Sequence, residues 1–261
     1  MLEINVLASG SKGNSILVSS GEKRILIDCG IPVRTLSKAL KNLGLTFCDI
    51  KAVLLTHEHS DHIASCASLT QAYNIPMFAN AITMSAVKRK TGLKGGYYFN
   101  ETTPFTLCGM EIRPFRTSHD AVYPVGYSIM DSDSKFTYAT DLGYFSTSVK
   151  DMAKGSDLIL IESNHDVEML LNGPYPKHLK ERILSMRGHL SNESAAKAIR
   201  ELLDKGTTRF ILGHLSEHNN TYELARDTTL NLLLSSGATL GKDYECYVAT
   251  QQGLEGTIKA K

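Results

Sequence analysis

A chain of 261 residues, 42% hydrophobic and 21% charged, is long enough to bury a substantial core and has the balance of a globular protein. Its formal net charge of +1 excludes neither nucleic acid nor small anions, because such partners read local patches. Five scattered cysteines without a CxxC pair exclude a disulfide framework and a thiolate zinc site, and they fit a reducing compartment. No basic region precedes a long apolar core at the N-terminus, and no apolar run approaches the roughly 18 residues of a membrane span. The expectation is a soluble, cytoplasmic protein with no membrane partner.

The opening residues predict short strands, "INVLA", "SILVS" and "RILIDC", joined by the turns "SGSKGN" and "SSGEK". A helix follows Pro32, with Leu36, Leu40 and Leu43 at helical spacing and Gly44 just after. Then come a strand "KAVLLT", a helix "DHIASCASLTQAY", a strand "PMFAN" and a helix "AITMSAVKRK". The middle returns to strands, "EIRPFRTS", "VGYSIMD" and "KFTYATD", followed by a helix "STSVKDMAKG" and the strand "DLILIES". Three helical stretches, "DVEMLL", "YPKHLKERILSMR" and "SNESAAKAIRELLDKG", lead to the strand "RFILGH" and the helix "TYELARDTTLNLLLSS". "YECYVAT" is expected to close the chain as a strand. With strands and helices mixed throughout and no linker or repeat, residues 1–261 read as one α/β domain.

Four apolar strands end on a candidate ligand: His57, His119, Asp141 and His214. Strand ends converge at a sheet edge, which is where a rigid scaffold can assemble a metal site. "THEHSDH" adds more within a few positions. His57 and His59, two apart, point to one side of an extended backbone, while Asp61 and His62 follow where the chain turns into its helix. Two neighbouring ions become plausible on that spacing alone.

"THEHSDH", with the later "SHD", "ATDLG" and "LGHLS" in order, resembles the HxHxDH signature and remaining ligands of the metallo-β-lactamase fold. The resemblance spans nearly the whole chain and implies a four-layer αββα sandwich. It implies that His57, His59 and His119 hold one metal, that Asp61, His62 and His214 hold a second, and that Asp141 bridges them. "LASGSKGNS", "ESNHDVEMLLNGPYP" and "GHLSNESAA" further resemble the YycJ/WalJ type, related to RNase Z and the PhnP phosphodiesterases. That type is associated with phosphodiester hydrolysis, including exonuclease action on DNA. The chain is too short for a β-CASP insertion, and it lacks the Gly/Pro-rich tRNA arm of RNase Z.

By the same resemblance His189 contacts the substrate phosphate or protonates the leaving oxygen, a role that suits a group with an ordinary pKa near 6.5. The plainer reading packs it beside the cap that Ser191 or Asn192 gives the next helix. Asp28 is expected to brace the metal-binding loop, with a simple turn cap as the alternative. His165 either lines the substrate groove or caps the next helix with Asp166. Glu58, between two ligands of common direction, should point away, and His178 and His218 should lie on the surface. "SGSKGNS", which holds Asn14, reads equally as a phosphate cradle and as a structural turn. Lys88, Arg89, Lys90 and Lys94 form one basic cluster, and Lys177, Lys180, Arg182 and Arg187 form another leading to His189.

The function implied is a metal-dependent phosphodiester hydrolase, a DNA exonuclease whose hydroxide is activated by two divalent ions, Zn²⁺, Mn²⁺ or Fe²⁺, with Asp61 and His189 the residues catalysis turns on. Rival readings are a cyclic phosphodiesterase or thioesterase on the same fold, since glyoxalase II shares the ligand types. A non-catalytic binding module stabilised by metal is a third. "GHLSN" favours phosphodiesters. The sequence leaves the oligomeric state open.

Overall fold

The structure, a computed structural model, describes residues 1–100 and 102–260. The first sheet comprises β1 (Leu2–Ala8), β2 (Ser15–Ser20), β3 (Lys23–Ile27), β4 (Ile50–Leu54), β5 (Met77–Asn80), β6 (Tyr97–Phe99) and β14 (Ile258–Ala260). The second comprises β7 (Phe105–Leu107), β8 (Met110–Arg116), β9 (Val125–Met130), β10 (Lys135–Ala139), β11 (Leu158–Glu162), β12 (Arg209–Gly213) and β13 (Glu245–Val248). Their orders are β14-β1-β2-β3-β4-β5-β6 and β13-β12-β11-β10-β9-β8-β7. In each sheet an antiparallel meander passes into a parallel half: β3 to β6 in the first, β10 to β13 in the second.

The parallel strands are apolar on both faces, as strands covered on both sides must be. Ile25, Ile27, Ala52 and Leu54 join Leu158, Leu160 and Ile211 between the sheets. The alternate residues face outward. Leu26 and Val53 pack with Leu36, Leu40 and Leu69 from α1 (Val33–Asn42) and α3 (Cys66–Tyr73), and with Met84 and Val87 from α4 (Ala81–Thr91). Ile159, Ile161, Phe210 and Leu212 pack with Val149, Ile199 and Leu233 from α5 (Thr147–Ala153), α8 (Asn192–Leu203) and α9 (Tyr222–Ser235). Each fully buried Leu or Ile contributes roughly 1.5–3 kcal/mol relative to exposure. Helix, sheet, sheet, helix: the expected αββα sandwich forms.

The expected helices form with ends displaced by one to a few residues, and α6 (Val167–Asn172) and α7 (Lys177–Leu184) complete the set. One departs from the expected span: "DHIASCASLTQAY" is divided into α2 (Ser60–Ile63) and α3. At the break Ser65 N donates to Cys29 O at 3.0 Å and Ser65 Oγ to Ile31 O at 2.6 Å. The loop after β3 therefore takes the polar groups that a continuous helix would have used. "YECYVAT" is not the last strand, because β14 follows it and pairs antiparallel with β1. β6, β7 and β14, three residues each, carry too little periodicity to be read before their partners are known. All five cysteines are free. Among the described residues no helix is long and apolar enough to cross a membrane.

Candidate metal centre

The site lies where strands stop. β4 runs out at Leu54, and the extended residues after it carry His57 and His59 before α2 begins at Ser60, delivering Asp61 and His62. β8 leads to His119, β10 to Asp141 and β12 to His214. Asp28, Asp141 and His214 each follow a strand in the left-handed conformation, with φ of 59°, 58° and 55°. That conformation costs a non-glycine residue roughly 1–2 kcal/mol and turns these side chains back toward the edge.

His57, His59 and His119 bring ligand atoms within 4.8 Å of one another, and so do Asp61, His62 and His214. Asp141 lies between the two groups, its Oδ1 3.4 Å from His119 Nε2 and its Oδ2 3.4 Å from His62 Nε2. Asp61 Oδ2 is 3.3 Å from His62 Nε2 and 3.6 Å from His214 Nε2.

Hydrogen bonds behind the rings decide which nitrogen faces the centre. His62 Nδ1 meets Asp28 Oδ2 at 2.7 Å, His57 Nδ1 meets Thr56 Oγ1 at 3.0 Å and His119 Nδ1 meets Gly188 O at 3.1 Å. His214 Nδ1 meets Glu162 Oε1 at 2.7 Å. These four therefore present Nε2 to the centre, while His59 turns Nδ1 to within 3.3 Å of His119 Nε2.

The donors fit divalent ions. They are imidazole nitrogens and carboxylate oxygens with no thiolate, a set suited to Zn²⁺, Mn²⁺ or Fe²⁺. His57 Nε2, His214 Nε2 and Asp141 Oδ2 are buried without a hydrogen-bond partner. Such orphans cost about 1–3 kcal/mol each, which a shared cation relieves.

Protons are distributed unevenly over the cluster. Burial, reinforced by neighbouring imidazoles, pushes His57 well below its ordinary range, and burial also lowers His59 and His119. Burial also disfavours charge on His62, but Asp61 and Asp28 outweigh it and hold His62 well above its ordinary value. At His214 burial is likewise outweighed, by Asp141, Asp61 and Glu162, which lift it to about 10. Asp61 and Asp141 are held well below the usual carboxylate range, burial being overcome by His62 and His214. Cations in the centre would displace the protons that His62 and His214 carry.

Asp28 does more than cap a turn: it accepts from Thr56 N and Thr56 Oγ1, both at 2.9 Å, as well as bonding His62. Asn14 Nδ2 is 3.3 Å from His62 Nε2 and 3.5 Å from Asp61 Oδ2. The glycine turn around it acts as a brace. Gly10 N is spent on Asn14 Oδ1, Lys12 N on Gln251 Oε1, Gly13 N on Gly10 O and Asn14 N on Asp61 O, so most donors of the phosphate-cradle reading are taken, while Ser11 lines the cavity over the cluster. Glu58 turns away as expected and accepts from Val122 N at 3.1 Å. His178 and His218 are exposed.

His165 does not line the opening. It is buried, with both ring nitrogens unpartnered, and burial lowers it to about 4. Asp166 alone makes the cap on α6. Ser191 caps α8, yet His189 is not merely packed beside that cap. His189 Nδ1 meets Glu162 Oε1 at 2.8 Å, and its ring lines a cavity of about 210 Å³ over the cluster, together with Ser11, Tyr175, Leu179, Arg182 and Ser216.

Glu162 is the residue that sequence reasoning missed. Fully buried, it holds His189 and His214 on Oε1 and accepts Leu142 N and Leu190 N on Oε2, at 2.8 and 3.0 Å. Burial would raise it, but His189 and His214 bring it to about 2. The available signal was an apolar strand ending in an acid, "LILIE", the same signal that marked Asp141.

An αββα sandwich with imidazoles and carboxylates at its strand ends defines the metallo-β-lactamase class, and the sequence model of the β-lactamase superfamily domain matches residues 23–215. Exodeoxyribonuclease YycJ of Bacillus anthracis is 37% identical over 249 residues, covering 94% of this chain and 94% of that protein. Exodeoxyribonuclease WalJ of Streptococcus pneumoniae is 38% identical over 248 residues, covering 93% and 92%. The chain belongs to the β-lactamase superfamily and, within it, to the family of the YycJ and WalJ proteins. Among solved structures, Zn²⁺-bound PqqB from Methylobacterium extorquens superposes with a TM-score of 0.75 at 18% identity over 98% of this chain and 99% of that one, a likeness of fold.

Proposed function

We propose that this protein is a metal-dependent phosphodiester hydrolase acting on nucleic acid, and specifically a DNA exonuclease. The observation that carries the reading is His189, fixed by Glu162 and facing the cavity over two abutting sets of ligand atoms. The names of the YycJ and WalJ relatives supply the substrate class.

In this reading His57, His59 and His119 hold one divalent ion, Asp61, His62 and His214 the other, and Asp141 both. Zinc and manganese suit the donors best. Ions bound there supply a nucleophile from water near neutral pH and offset charge growing on the phosphoryl oxygens. The remaining work falls to the chain. Glu162 accepts Nδ1–H of His189, which leaves Nε2 as the ring's other site; the doubly protonated ring gives its Nε2–H to the departing oxygen and keeps Nδ1–H on Glu162. Asp28 and Glu162 keep His62 and His214 turned toward the centre. Residues 1–261 act as one cytoplasmic domain, consistent with the pairing of β14 on β1, which joins the two ends of the chain.

The test is a strand-resolved nuclease assay on 5′- and 3′-labelled single-stranded and duplex DNA and RNA, with Mn²⁺ or Zn²⁺. Metal-dependent cleavage, lost in Asp61→Ala and strongly reduced in His189→Ala, is expected, and the ladder gives polarity. Metal-loaded protein that cuts no polymer but hydrolyses a cyclic diester or a thioester would sink the nuclease assignment.

A further inference from the structure

Two further depressions adjoin the cavity over the cluster. Beyond His59, Asp61 and Arg182, which it shares with that cavity, a groove of about 740 Å³ continues past Ser60, Ala64, Ser68 and Lys90. Beyond His214, sharing Ser216, a cavity of about 420 Å³ is walled by Lys12, Glu217, Tyr222, Glu223 and Gln252.

Their charges differ in sign. The groove carries Lys90 and Arg182, and its one carboxylate, Asp61, already belongs to the metal cluster. Lys90 Nζ donates to Glu58 O at 3.1 Å, which anchors the ammonium beside the segment bearing His57 and His59. Arg182 gives Nε and Nη2 to Asp120, an ion pair that offsets its charge and fixes the plane of its guanidinium, so the net positive charge of the groove is that of Lys90. In the other cavity Glu217 neutralises Lys12 by an ion pair at 2.5 Å, and Glu223 leaves the lining net negative. A run of phosphates is attracted to the first and repelled by the second. An uncharged base is not repelled, and the partly exposed ring of Tyr222 offers it a stacking face.

We propose that a single nucleic-acid strand crosses the centre with its polymer side in the Lys90–Arg182 groove and its terminal nucleoside in the cavity behind Ser216. Each cut then releases one nucleotide from that end. The inference rests on the nuclease reading above and adds to it which side of the centre each part of the substrate occupies.

The test compares a long single-stranded oligonucleotide with a dinucleotide as substrates of the metal-loaded full chain. Lys90→Gln should raise KM for the oligonucleotide about tenfold, flatten its log–log salt dependence by about 0.7, and move the dinucleotide by less than about twofold. Lys90→Arg should restore the oligonucleotide KM. Tyr222→Ala should weaken both substrates alike, by roughly tenfold. Equal losses on both substrates in Lys90→Gln, or none on either, would overturn the placement of the polymer side. An unchanged KM for both in Tyr222→Ala would overturn the nucleoside site. Wild-type protein that cuts neither substrate would fail the nuclease reading itself, an outcome distinct from any failure of a variant.

Discussion

Oε1 of Glu162 lies 2.8 Å from Nδ1 of His189, at the end of a strand whose other four residues are Leu and Ile. The same oxygen meets His214 Nδ1, so a single buried carboxylate sets the tautomer and angle of two imidazoles that face the cavity. Oε2 is no freer, holding two backbone N–H groups.

Glu162→Gln removes that arrangement with little change in shape. Glutamine offers one acceptor oxygen, so either the imidazoles or the N–H groups of Leu142 and Leu190 lose theirs. Groups of this kind behind metal ligands are worth about 10–100-fold in metal affinity or activity. A fall of that size in kcat, measured at saturating metal, is expected, with a weaker metal Kd by titration. Activity and metal affinity within about twofold of wild type would show that Glu162 is only a packing residue.

Gly30 is the second point of vulnerability. A Cβ there would stand 1.6 Å from the carbonyl oxygen of Asp61, against backbone that has nowhere to move. Cys29 N already donates to His62 O, Asn14 N to Asp61 O and Gly30 N to Asn14 O, so the loop after β3, the turn before β2 and the start of α2 are bonded against one another. Gly30→Ala should push these segments apart, cost at least about 3 kcal/mol as overpacking does at its upper range, and lower metal stoichiometry. Urea unfolding and metal analysis check it. A Gly30→Ala protein with wild-type stability and full metal would contradict the contact.

His165 gives a pH dependence with a definite sign. Its ring is buried and its pKa falls from the ordinary 6.5 to about 4 on folding. Between those values the unfolded chain binds the proton and the folded one does not, so stability is full above about pH 7 and declines as the pH drops toward 4. The decline attributable to this ring is about 3 kcal/mol. His165→Phe, which leaves no ring nitrogen to protonate, should flatten the acid side of a plot of stability against pH by that amount. Parallel curves for the two proteins between pH 7 and pH 4 would remove His165 from the acid response.

The sequence by itself determined the fold and the donors of the candidate site, because both are written at short range. Strands buried on two faces must be apolar throughout, so "RILID", "AVLLT" and "LILIE" announce themselves. "HEHSDH" places four donors within six positions, and Asp141 and His214 mark strand ends by the same logic. Tertiary structure alone decided the rest. Glu162 and His189 are 27 residues apart and Glu162 and His214 are 52 apart, so neither pairing leaves a local pattern. How many N–H groups "SGSKGNS" has left for a phosphate depends on Gln251, far along the chain, taking Lys12 N and on Asp61 taking Asn14 N. The helix after His59 breaks because Cys29 and Ile31 claim the polar groups of Ser65. β14 becomes a strand only when β1 is there to pair with it. Residue type and spacing announce which groups a chain carries, but hydrogen bonds made across tens of residues decide which of them are left free to act.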